Sequence, residues 1–241
     1  MRRLIVNADD FGLSAGVNAG IVQAHESGIV TSTSLMVHHG GAAAAAQLAR
    51  ALPSLGVGLH VDLGEWSFRD GSWVALYERV DLDDATGIEA EVALQLARFR
   101  SLLGRDPDHL DSHQHVHRRE PALGVLQRLG RELGVPVRRG GMVGFVGEFY
   151  GQDDEGQPLH TLIGVERLLV LLERIGPDCT ELACHPGQVA DDDTLGGTMY
   201  RVERNLELRT LCDPRVRARL ARGDIVLSSF AECPPAPGGS Q

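Results

Sequence analysis

The stretch Leu4-Ile5-Val6-Asn7-Ala8-Asp9-Asp10-Phe11-Gly12 is an apolar run that stops at two adjacent carboxylates, followed by an aromatic residue and a glycine. An apolar run bounded by Asn, Asp and Gly reads as a buried strand that ends where a βα loop begins. Two neighbouring carboxylates repel one another. Both ionise only if a cation, a hydrogen-bond donor or a shared proton lies between them. The pair therefore points to a metal site with an acid–base group beside it.

Outward from this strand, short apolar runs alternate with helical patterns. Strands are predicted at Leu4 to Asn7, Ile29 to Val37, Val57 to Leu63, His109 to His113, Val135 to Arg138, Glu181 to His185 and Ile225 to Phe230. Helices are predicted at Ala15 to Glu26, Ala42 to Ala51, Ile88 to Leu103, Glu120 to Leu133, Val165 to Ile175 and Tyr200 to Leu211. Ser14 can cap the first helix, with Gly28 past its end. Thr86 and Glu89 form a T-x-x-E capping box, and Gly104 stops that helix.

Strands alternating with helices imply a parallel sheet, and right-handed crossovers leave a doubly wound sheet or a barrel. The expected fold is α/β, an irregular (β/α) TIM-like barrel with about seven parallel strands. With 241 residues and 43% hydrophobic composition, one domain over residues 1–232 is expected, followed by a Pro-, Gly- and Ser-containing tail over 233–241. Segments 65–84 and 140–160 break the rhythm and read as long loops, the usual material of lids and walls.

A formal charge of −10, from 23 basic against 33 acidic residues, argues against nucleic acid or an anionic membrane surface as partner. Cys179, Cys184, Cys212 and Cys233 lack both paired metal spacing and the density of a secreted disulfide scaffold, so unpaired thiols in a reducing compartment are expected. The first apolar run is too short for a signal peptide and no stretch reaches membrane-spanning length, which predicts a cytoplasmic protein.

Polar clusters fall at the carboxyl ends of predicted strands: Asp9-Asp10, His60, the run Asp111-Ser112-His113-Gln114-His115-Val116-His117, and His185-Pro186-Gly187. In a parallel α/β fold those ends converge on one side. If extended, the run at 111–117 would turn His113, His115 and His117 to one face, too many imidazoles for packing alone. Asp10, His60 and His113 together make a two-histidine, one-carboxylate set with room for water and substrate. It suits one divalent metal ion, Zn²⁺ or Mg²⁺ first, with Mn²⁺, Co²⁺ or Fe²⁺ also compatible. Asp9 is then free to act as base, and His185 to protonate a leaving amine. Trp66, Trp73, Phe145 and Tyr150 are candidates for stacking on a sugar ring, while His25, His38, His39 and His160 receive no role.

The motifs Asn7-Ala8-Asp9-Asp10-Phe11-Gly12, Val30-Thr31-Ser32-Thr33-Ser34, Gly58-Leu59-His60, the run at 111–117 and Cys184-His185-Pro186-Gly187, in this order, resemble the YdjC-like carbohydrate deacetylases, the family of chitooligosaccharide deacetylases. The resemblance implies an irregular barrel, a divalent metal on Asp10, His60 and His113, Asp9 as base, His185 as acid, and hydrolysis of an N-acetyl group from an amino sugar or short oligosaccharide. The expected partner is a small N-acetylated carbohydrate, with a homodimer allowed. Two other readings use the same residues. One is a barrel hydrolase or isomerase acting on a sugar or phosphoester, and the other a non-catalytic carbohydrate-binding protein, which has no use for Asp9 or His185.

Overall fold

A computed structural model describes residues 2–189 and 195–233. In chain order the elements are β1 (Arg2–Phe11), α1 (Ala15–Glu26), β2 (Ser32–Leu35), α2 (Ala42–Ala51), β3 (Gly56–Val61), β4 (Gly64–Arg69), β5 (Ser72–Glu78) and α3 (Ala85–Leu103). They continue with β6 (Leu110–Ser112), α4 (Ala122–Leu133), β7 (Gly144–Val146), α5 (Val165–Glu173), β8 (Cys179–Cys184), α6 (Val202–Leu211), α7 (Pro214–Leu220) and β9 (Ile225–Leu227).

β1 is the axis of the molecule and is buried from Leu4 onward. It runs parallel to β8 along one edge, with Leu4 opposite Thr180 and Ala8 opposite Cys184. Its other edge is shared: β9 takes the first residues, Arg2 opposite Ile225, and β2 the later ones, Asn7 opposite Ser32. Among the described residues the sheet has seven strands in the order β6-β3-β2-β1-β8-β7, with β9 beside β1. All its pairs are parallel. Both faces of such a sheet are covered, which is why β1, β3 and β8 read as near-continuous apolar runs. The sheet curls into a half-barrel. This is the irregular (β/α) barrel expected, and its strand carboxyl ends share one rim.

Several boundaries differ from expectation for identifiable reasons. The predicted strand at Val135 to Arg138 is a single parallel bridge between Leu110 and Val137, because Pro136 lacks the N–H a ladder needs. α3 is capped by Asp84, whose carboxylate accepts from the amides of Thr86 at 3.1 Å and Gly87 at 3.0 Å, not by the Thr86–Glu89 box. The segment 65–84 is no open loop: most of it is the antiparallel hairpin β4–β5, with Arg69 opposite Ser72. Asp70 and Gly71 form its tip at φ 51° and 79°, the two left-handed residues of a type I′ turn. Within 140–160, β7 adds a short strand beside β8. α7, absent from the sequence reading, starts at an Asp213 cap with Pro214 behind it.

The expectation of four unpaired cysteines is also corrected. Cys179, at the start of β8, and Cys233 are joined in a disulfide, while Cys184 and Cys212 are free. These partners lie 54 residues apart in sequence, a spacing that carries no recognisable motif; β8 and the chain after β9 bring their Cα atoms to 6.1 Å. Of the tail expected over 233–241, Cys233 is thus part of the fold, and residues 234–241 lie outside the described residues. Among the described residues no helix is long and apolar enough to cross a membrane.

Candidate active site

The carboxyl ends of β1, β3, β6 and β8 meet at the floor of a cleft of about 910 Å³, lined among others by Asp9, Asp10, His60, His113, His185 and Arg204. All five residues singled out from the sequence are therefore in one place. Near the end of β1 the register against β2 shifts between Ala8 and Phe11, and within that irregularity Asp10 takes φ 69°, the left-handed region, which separates the two carboxylates of the pair. Asp10 Oδ1 faces two imidazoles, His60 Nε2 at 3.2 Å and His113 Nδ1 at 3.0 Å. Asp10 Oδ2 instead accepts from Arg204 Nη2 at 2.6 Å. Asp9 turns the other way. Arg138 grips it with Nη1 to Oδ2 at 2.6 Å and Nη2 to Oδ1 at 2.7 Å, and Asn7 Nδ2 donates to Oδ1 at 2.9 Å.

The register of β3 against β6 sets His60 opposite Asp111, and His60 Nδ1 lies 2.8 Å from Asp111 Oδ1. Ser34 Oγ, from β2, lies 3.1 Å from the same nitrogen. A carboxylate on the far nitrogen fixes ring and tautomer and leaves Nε2 for the cleft, the usual support of a metal-ligating histidine. Asp111 also pairs with Arg138 Nη2 at 2.8 Å, and Arg138 Nε donates to Glu181 at 2.7 Å. One buried guanidinium thus ties β1, β6 and β8 together.

His113 is not the start of an extended run. The chain makes a tight 3-10 turn over His113–Arg118, with Gln114 and His115 in the left-handed region at φ 48° and 54°. Only His113 of the three histidines meets Asp10. His117 Nδ1 turns back to Ser112 Oγ at 2.6 Å, and His115 packs its ring edge on Phe145 with centroids 5.8 Å apart. Strained backbone of this kind persists where the surroundings over-determine it, as they do at functional sites.

Electrostatics divide these groups. Burial alone would raise the Asp9 carboxyl, but the Arg138 guanidinium overrides it and holds it below the ordinary value. Burial is likewise outweighed at Asp10, where Arg204 and His113 hold the carboxyl well below that value. Burial disfavours protonated His60 and His113, yet the charges of Asp111 and Asp10 respectively raise both rings, His60 strongly. His115 and His117 are the opposite case: burial, with Arg138 adding repulsion, pushes them down to about 3 and about 4. Both shifts disfavour the protonated ring.

Ligand atoms of Asp10, His60 and His113 all lie within 4.8 Å of one another, as do those of Asp9, His60 and Asp111. The second group is already served by the Arg138 guanidinium, which bonds Asp9 and pairs with Asp111. The first combines two imidazole nitrogens with one carboxylate oxygen, a donor set suited to a borderline divalent cation. It fits one metal ion.

His185 follows the last residue of β8. Its Nε2 is 3.6 Å from Asp9 Oδ2, and its ring packs against Tyr150 and Tyr200 with centroids 5.5 and 5.3 Å away. The turn behind it is pinned from two helices: the Gly187 amide donates to the Arg204 carbonyl at 3.1 Å and the Gln188 amide to the Gly16 carbonyl at 2.9 Å. Arg138, Arg204, Glu181 and Glu207 carry no signal of their own in the sequence. A lone charged residue in a helix, a loop or a short strand looks like solvated surface, and only the fold buries it. Among the aromatics, Trp66, Trp73 and Tyr150 line the cleft, whereas Phe145 stacks under Arg139 at 4.4 Å.

A curled parallel sheet with a carboxylate–histidine cluster at its carboxyl rim defines the class of (β/α) half-barrel proteins with a polar, cation-compatible site. Within it the chain belongs to the YdjC-like protein family, whose model matches residues 3–222. It is 34% identical over 257 aligned residues to a chitooligosaccharide deacetylase of Salmonella schwarzengrund, covering 96% of this chain and 99% of that one. The fold resembles that of a candidate cellobiose-phosphate cleavage protein of Enterococcus faecalis V583, with a TM-score of 0.77, 25% identity, and 95% and 98% of the two chains covered. It also resembles a family 4 carbohydrate esterase of Streptomyces lividans bound to acetate, with a TM-score of 0.59 over 98% and 97% of the chains at 11% identity, a likeness of fold alone.

Proposed function

We propose that the protein is a metal-dependent carbohydrate N-deacetylase, a hydrolase that releases acetate from an N-acetylated amino sugar or short oligosaccharide. The observation that carries this reading is the convergence of the Asp10–His60–His113 donor set with Asp9 and His185 in one cleft. The similarity to a chitooligosaccharide deacetylase over nearly the whole chain supports the substrate class.

A divalent cation held by Asp10, His60 and His113 supplies Lewis-acid chemistry, acidifying water and polarising a carbonyl. Asp9 takes a proton from the attacking water. The Arg138 grip keeps Asp9 ionised and aimed, at the cost of some basicity, since a carboxylate with a lowered pKa is a weaker base. His185 gives a proton through Nε2 to the departing nitrogen, so the products are acetate and a free amine. Tyr150 stands beside His185 at the cleft wall, placed to pack on a sugar ring.

Acetate release from N-acetylated mono-, di- and oligosaccharides, before and after chelation and with single ions added back, tests the whole reading. Acetate release that chelation abolishes and one divalent ion restores is the expected result. Full activity in chelated protein would remove the metal, and failure on every N-acetylated sugar alongside phosphate release from model esters would replace the reaction.

A further inference from the structure

His185 has one nitrogen toward Asp9 and one with nothing to bond. Nδ1 is buried and has no hydrogen-bond partner among the described residues. Facing it at 3.8 Å is Glu207 Oε1, on α6, a side chain with no exposure at all. A buried carboxylate is costly unless its oxygens are satisfied. Those of Glu207 are satisfied at the His185 turn: Oε2 accepts the backbone amide of His185, and Oε1 accepts the Tyr200 hydroxyl. Tyr200 in turn accepts from the Gly151 amide at 2.8 Å and stacks on Tyr150, ring centroids 4.6 Å apart and 14° from parallel.

We propose that Glu207 is a positioning residue for His185: its carboxylate accepts a hydrogen bond from Nδ1–H, so that Nε2 is presented to the cleft and the imidazolium is balanced by a fixed charge while it donates to the leaving group. This rests on the reading of His185 as proton donor. A separation of 3.8 Å is too long for a bond, but hydrogen bonds of catalytic groups are often long before substrate binds. Among the described residues, the groups placed against the ring are Asp9 from β1, Glu207 from α6, and Tyr150 and Tyr200 from the segments between, and Glu207 is the described carboxylate on the Nδ1 side. The Tyr200 hydroxyl and the His185 amide hold that carboxylate in place.

Three measurements on the metal-loaded protein separate this role from a structural one. In the ¹⁵N spectrum of neutral His185, the proton is expected on Nδ1, and Glu207→Gln, whose amide N–H can donate to Nδ1, should move it to Nε2. Turnover of an N-acetylated oligosaccharide by that variant should fall by about 10²-fold in kcat with KM unchanged. Hydrolysis of an aryl acetate, whose leaving group needs no proton, should survive, and Glu207→Asp should restore part of the amide activity. An unchanged tautomer with unchanged amide turnover overturns the proposal, as does equal loss on both substrates. If the parent releases no acetate from any N-acetylated sugar, the function reading fails, and the spectrum alone still decides whether Glu207 holds the ring. Should Glu207→Gln not fold, Tyr200→Phe, which removes one of the carboxylate's anchors, carries the kinetic comparison: amide turnover should fall while aryl acetate hydrolysis survives, and equal loss on both substrates overturns the proposal.

Discussion

At the residue scale, Asp9 and Asp10 differ by one position and by everything they touch. The left-handed turn at Asp10 aims one carboxylate at two imidazoles and leaves the other on Arg138. Asp9→Asn should therefore lose about 10²-fold or more in turnover while keeping fold and metal, checked by circular dichroism and metal titration beside the acetate assay. His60→Ala and His113→Ala should lose the metal, as a direct binding titration would report. Arg138 is the reverse case. Its removal takes the guanidinium from three buried carboxylates, Asp9, Asp111 and Glu181, so Arg138→Leu should cost about 3–5 kcal/mol in chemical denaturation. The catalytic candidates were legible in the sequence because acids and histidines at strand ends lack a packing explanation. Arg138 was not, because its meaning lies wholly in three partners from three distant segments.

Elements position these groups, and one contact between elements is unusually close. Gly20 of α1 faces Gly187 in the turn after His185, and a Cβ there would lie 2.4 Å from the Gly187 Cα. Gly20→Ala should push that turn and His185 outward, losing about 1–3 kcal/mol in a denaturant melt together with much of the turnover. Gly40→Ala, where a Cβ meets nothing within 4 Å, is the matched control and should leave both unchanged. The hairpin β4–β5 does have a local signal in the sequence: Asp70-Gly71 between aromatic-bearing strands is the turn pair that two left-handed residues demand. The histidine run at 111–117 shows the converse. Nothing local predicts that Gln114 and His115 turn left-handed; Gln114 does so while bonding the Trp66 backbone in both directions, at 2.9 and 2.8 Å.

For the whole molecule, pH acts through the buried cluster. Asp9, Asp10 and Asp111 are held below their ordinary value of 3.8, so their stabilisation is present above that pH and fades as acid carries the solution down through the native values. His60 and His113 are raised above 6.5 in the metal-free protein. Their contribution is complete below that pH and disappears as pH climbs through the raised values. A cation needs the same rings neutral, so its affinity should rise across that window, which chelator competition over a pH series would measure. Reducing the Cys179–Cys233 disulfide opens a loop of 54 residues and should lower stability by up to about 4 kcal/mol, read as a shift in melting with reductant. By itself the sequence determined the parallel α/β architecture, the family and the five residues at the strand ends, since hydrophobic periodicity and strand-end chemistry are local and repeat along the chain. The tertiary structure alone decided which oxygen of which aspartate meets a histidine or an arginine, that Cys179 finds Cys233, and that Glu207 stands behind His185. Those are contacts between segments far apart in sequence, and only the curl of the sheet and the packing of helices on it bring them within bonding distance.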